Sequence, residues 1–166
     1  VEFRYRPPHP PTMEIQESKC EFIRPVQYQR DCISCCFYSS MIYATNVATG
    51  FYVGDFWYSA VFFYLLNTSL LFHYTRNEIM RTIDKTGIMA VVIYGSYKFF
   101  DNLPKYQDDL LYPVTIVSSF LYVVYLYYYG YYYKQYCYCE DMDTADRWHS
   151  LLHLVSCIGN HLILFM

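Results

Sequence analysis

LLYPVTIVSSFLYVVYLYYYGYYY (110–133) runs for 24 residues without a charged side chain and carries eight tyrosines between positions 122 and 133. A membrane helix needs about 20 apolar residues, and this stretch meets that length with aromatic rings suited to a bilayer interface. Comparable runs occupy 32–54, 56–75 and 148–166, with a shorter one at 86–97. The short run extends to 83–99 once Lys85 and Lys98 at its ends snorkel. A helix on the surface of a globular protein places charges on its outer face, and these segments do not.

The sequence therefore predicts an all-α, polytopic membrane bundle of about five transmembrane helices at 33–53, 56–74, 83–99, 110–133 and 148–166. The helix at 33–53 is diluted by Ser39, Ser40, Thr45, Asn46 and Thr49. Residues 1–31 read differently. RYRPPHPPT is too proline-dense for a helix, lacks the pattern of a signal peptide, and is expected to be an extended arm on the membrane or a partner. Composition agrees with this division. Of 166 residues, 55% are hydrophobic, 22% aromatic and only 16% charged, where a soluble domain carries roughly a quarter. The mean hydropathy of +0.07 reflects tyrosine being scored as polar. The aromatic content excludes disorder, and a net charge of −3 argues against a nucleic-acid partner.

Five spans place Arg4, Arg6, Lys19, Arg24, Arg30, Arg76, Arg81, Lys134 and Arg147 on one side and Lys98 and Lys105 on the other. The positive-inside rule then assigns the N-terminus to the cytosol or its organellar equivalent. On that topology Ser69, His73, Asp84, His149 and His153 converge on one leaflet. Ser69/His73 and His149/His153 are each four apart and share a helical face. Three imidazoles and a nearby carboxylate suit Zn2+ with an open water position. His73, His149 and His153 are the expected ligands, Asp84 the general base and Ser69 a supporting group. Zinc lowers the pKa of its bound water towards about 7. His161, further along the last helix, and His9, in the arm, are read as structural.

NTSLLFHYTRNEIMRTIDKTGIMAVVIYGSY (67–97) resembles the second and third helices of the haemolysin III and adiponectin-receptor family. Ser69, His73, Asp84, Gly87, Ile88 and Gly95-Ser96-Tyr97 match in order and spacing. WHSLLHLVSCIG (148–159) is similar to that family's last helix. The superfamily includes alkaline ceramidases, so the resemblance implies a zinc-dependent membrane hydrolase cleaving lipid amides. It spans roughly 100 of the 166 residues. The family has seven spans and this chain room for five, and Lys98-Phe99 stands where the family carries Thr-Pro.

The expected function is a lipid amidase or hydrolase with membrane lipids as substrate. The alternative is a non-catalytic accessory membrane subunit, of a respiratory-chain complex or a viral envelope or capsid, bound to other membrane subunits or to itself. No pore-lining polar row supports a channel. Cys32, Cys35 and Cys36 with Cys137 and Cys139 offer a thiolate zinc site, but the C-x-C spacing is poor for it and interfacial free thiols, candidates for palmitoylation, fit better. Cys20 and Cys157 carry no pattern. Thr144 or Asp146 is expected to cap the last helix.

Overall fold

Backbone hydrogen bonding breaks the first expected helix in two. Ser39 and Ser40 hydroxyls both donate back to the Cys36 carbonyl, at 3.1 and 2.8 Å, a competition that weakens helical continuity. Bonds of the tighter i→i−3 kind, Met41 N to Tyr38 O and Ile42 N to Ser39 O, carry the chain through the break. The result is α1 (Cys35–Ser40) followed by α2 (Tyr43–Val53). The computed structural model describes residues 35–106 and 109–166, all within the compact unit Cys32–Met166. The arm at 1–31, with His9 and Cys20, and Cys32 beyond it lie outside the described residues.

Gly54 ends α2 at φ 80°, a left-handed conformation that glycine adopts without a steric penalty. Asp55 then caps α3 (Phe56–Thr75), accepting from Tyr58 N at 3.0 Å. Asn77 caps α4 (Glu78–Asn102) through Ile79 N at 2.8 Å. A 3₁₀ turn, Leu103–Tyr106, precedes α5 (Leu111–Tyr133). A second, Tyr136–Tyr138, leads to α6 (Met142–Phe165). The cap of α6 is Asp141, whose Oδ2 accepts from Thr144 N at 3.0 Å; neither Thr144 nor Asp146 takes that role. The chain places the acceptor one turn earlier than the apolar run alone indicated.

The helices pack as α4 on α3, α3 on α2, α1 and α2 on α6, and α6 on α5. Tyr43, Tyr58, Phe62, Leu65, Val91 and Cys157 form the core between them. Gly87 lets α4 approach α3 closely, because a Cβ there would stand 3.2 Å from the Leu65 Cα. Ser40, Asn46, Ser59, Thr68 and Ser69 of the charge-free runs are turned into this core. Asn46 Nδ2 donates to Tyr58 OH at 3.0 Å, Tyr58 OH donates to Asn160 O at 2.9 Å, and Cys157 Sγ donates to Asn46 Oδ1 at 2.8 Å. Such a network fixes one arrangement of the helices because each buried polar group has its partner.

All-α architecture stands, but the five-span membrane bundle does not. Among the described residues one helical stretch, Leu111–Tyr138, is long and apolar enough to cross a membrane. Absence of charge is a weaker property than apolarity. The run at 33–53 divides into two short helices, α3 carries Ser59, Asn67, Thr68, Ser69 and His73, and α4 and α6 each begin in charged sequence. With the spans go the topology built on their parity, the cytosolic leaflet assigned to the site, and the localisation as a multi-spanning membrane protein.

Candidate metal centre

The last turn of α3 carries His73, and the first half of α6 carries His149 and His153, one turn apart on one face. The three imidazoles meet in a triangle. Ring centroids lie 5.0 Å apart for His73–His149, 5.3 Å for His73–His153 and 4.8 Å for His149–His153. Their planes are inclined by 81°, 67° and 88°, so each ring turns an edge towards its neighbours. One ring nitrogen from each residue lies within 4.8 Å of the other two. A tetrahedral zinc site with bonds of 2.0–2.1 Å spaces its ligand atoms by roughly 3.3 Å, a contraction that rotation of the rings can supply.

His73 is 9% exposed and His153 4%. His73 Nε2 is buried with no hydrogen-bond partner, which costs free energy unless something occupies that lone pair. His153 is oriented through its other nitrogen. Its Nδ1 lies 2.8 Å from Ser39 Oγ, and Ser39 spends its single proton on the Cys36 carbonyl. Ser39 must therefore accept from Nδ1–H, which leaves Nε2 of His153 unprotonated and available as a ligand. Tyr43 packs on the same ring at 5.4 Å.

Electrostatics favour the neutral, ligating form of the bases. Burial pushes the pKa of His73 down to about 3, reinforced by His149 and Arg76. Burial likewise holds His153 well below the ordinary histidine value, with His149 and His73 adding to the shift. Two imidazoles that are buried beside a third are poor as cations and good as metal donors.

Asp84 and Ser69 are buried in the same bundle but belong to other contacts. Asp84, 7% exposed, accepts from Thr68 Oγ1 at 3.3 Å; burial raises its pKa to about 6 against that hydrogen bond. Ser69 Oγ is 3.1 Å from Ser40 Oγ. Neither is in the histidine group within 4.8 Å. His161 bonds Thr45 Oγ1 through Nε2 at 2.9 Å, the structural role expected of it. Cys137 and Cys139 join no ligand group with Cys35 and Cys36 among the described residues; Asp146 does. Ser39 and Asp146 escaped the sequence reading as site residues, although Ser39 lies three residues from Cys36 and Asp146 three from His149, spacings that share a helical face.

No family model, curated protein or solved structure matches the chain. The resemblance to the haemolysin III and adiponectin-receptor family is therefore not upheld, and the single membrane-length helix stands against its many-span bundle. The lipid-amidase function drawn from that family falls with it. So does the alternative of an accessory membrane subunit in a multisubunit complex, drawn from the arm, the aromatic excess and the missing helices, because it too was built on a many-span bundle.

Proposed function

We propose that this protein is a metal-binding helical bundle in which His73, His149 and His153 hold one divalent transition-metal ion that ties the end of α3 to α6. The observation that carries this reading is the triangle of near-perpendicular imidazoles, with one nitrogen per ring within 4.8 Å of the others. The buried lone pair of His73 and the Ser39 contact of His153 support it. Nitrogen donors of this kind favour zinc among the abundant divalent ions over magnesium or calcium, which take oxygen. Three protein ligands leave one coordination position to water or a small ligand. Asp84 and Ser69 enter as polar neighbours in the bundle interior, not as ligands.

An ion that binds only the folded chain stabilises it by about 4 kcal/mol at a thousandfold excess over its dissociation constant. The test is elemental analysis of the purified chain after zinc loading and gel filtration, with thermal unfolding before and after chelation. The reading expects bound zinc that falls by one ion per chain in His149→Ala, and a melting temperature lowered by chelation in the native chain. Zinc content unchanged in a folded His149→Ala chain contradicts it.

A further inference from the structure

A second group of donors shares α6 with the first and takes its other residues from α1. Cys35 Sγ, Cys36 Sγ and a carboxylate oxygen of Asp146 lie within 4.8 Å of one another. Cys35 is exposed and Cys36 buried. α1 is held on α6 at this point by Cys36 Sγ, which donates to the Asp146 carbonyl at 3.4 Å, and by Ser150 Oγ, 3.5 Å from Cys35 Sγ. Asp146 and Ser150 bracket His149 on α6, and Ser39, which orients His153, lies one turn after Cys35 and Cys36 on α1. The two donor groups therefore follow each other along α6, the thiol group completed from α1 and the histidine group from α3.

We propose that Cys35, Cys36 and Asp146 form a second, outer metal site for a thiophilic divalent ion of the zinc and cadmium class. Thiolates select such ions over magnesium and calcium. Charge supports the assignment. Two thiolates and a carboxylate bring −3, the ion +2, and Arg76, whose Nη2 stands 3.8 Å from Asp146 Oδ2, the remaining +1. Binding releases the two thiol protons to water and forms two metal–sulfur bonds and one metal–oxygen bond, with no change in oxidation state. The site differs from the histidine centre in every ligand, so either can fail without the other.

The experiment is a titration of the reduced full-length chain with Co2+, followed by absorption spectroscopy and by elemental analysis after gel filtration. Visible ligand-field bands report cobalt in either site, whereas a thiolate-to-cobalt charge-transfer band in the near ultraviolet reports sulfur ligation. The proposal expects two ions per chain and a charge-transfer band that disappears, with one ion lost, in Cys35→Ser. That variant changes an exposed side chain; Asp146→Asn provides a second, and is expected to weaken the same band. His149→Ala is expected to retain the charge-transfer band. A native chain without that band, or a band that persists at full strength in both Cys35→Ser and Asp146→Asn, overturns the outer site. A native chain that carries the charge-transfer band but loses no metal in a folded His149→Ala variant overturns only the inner site.

Discussion

Two polar clusters occupy opposite ends of α3, and they differ in how completely they are satisfied. At its start, Asp55 caps the helix through Tyr58 N, accepts from Tyr94 OH at 2.8 Å and pairs with Lys98 Nζ at 3.0 Å. Both hydrogen bonds fall on Oδ1, and the ammonium of Lys98 stands at Oδ2. At its end, His73 presents a buried nitrogen with no hydrogen-bond partner beside two further imidazoles. Both ends hold ionisable residues in a helical bundle, so composition does not separate them. Charge pairing does: at the first end the carboxylate faces an ammonium, whereas at the second three imidazoles face one another, the arrangement proposed above to take an ion.

Substitutions can break this contrast. The largest expected effect is that of His153→Ala, which removes a ligand and the partner of Ser39 together; zinc binding at the histidine centre should be lost, as read by elemental analysis of a chain shown to be folded by circular dichroism. Asp55→Ala should leave that binding intact while destabilising the bundle by about 2–3 kcal/mol in denaturant unfolding, through the lost cap and the unpartnered Lys98 and Tyr94. Ser39→Ala should weaken zinc binding about 10- to 100-fold by releasing the His153 tautomer, with Ser39→Thr retaining most of the affinity; calorimetric titration distinguishes them. Asp84→Asn should leave zinc stoichiometry unchanged.

The Asp55 end also has a pH signature. Burial opposes ionisation there, but the Tyr58 amide, Lys98 and Tyr94 outweigh it and hold the carboxyl below its usual value. A depressed acid stabilises the fold above the unfolded-state value of about 3.9. That contribution is lost as pH falls through the lower folded-state value. Native chain and Asp55→Asn should therefore differ in stability near neutrality and converge in acid, a comparison that unfolding curves at several pH values make directly.

Much of the helical layout was legible in sequence, and the reasons for the rest are local. The start of α3 at Phe56 and the extent of α5 at Leu111–Tyr133 lie within a residue of the limits read from charge-free runs, because Gly54-Asp55 and Lys134 mark real chain reversals. The histidines were legible too, as pairs and singles at helical spacing. The membrane reading failed because Ser40, Asn46, Ser59, Thr68 and Ser69 look neutral in a charge count, whereas in the structure they are buried and hydrogen-bonded inside the bundle. Ser39 was legible only as a residue that weakens a helix. Its contact with His153 spans 114 positions, and helix packing, which no local pattern records, creates it.

The central claim is that three imidazoles from α3 and α6 converge on one ion. Zinc X-ray absorption on Cys35→Ser protein loaded with one equivalent tests it most directly, because that variant leaves the histidine centre alone. The account predicts three imidazole nitrogens at about 2.0–2.1 Å with a single oxygen or nitrogen atom completing the shell and no sulfur. A shell dominated by sulfur, or one without multiple imidazoles, would contradict it.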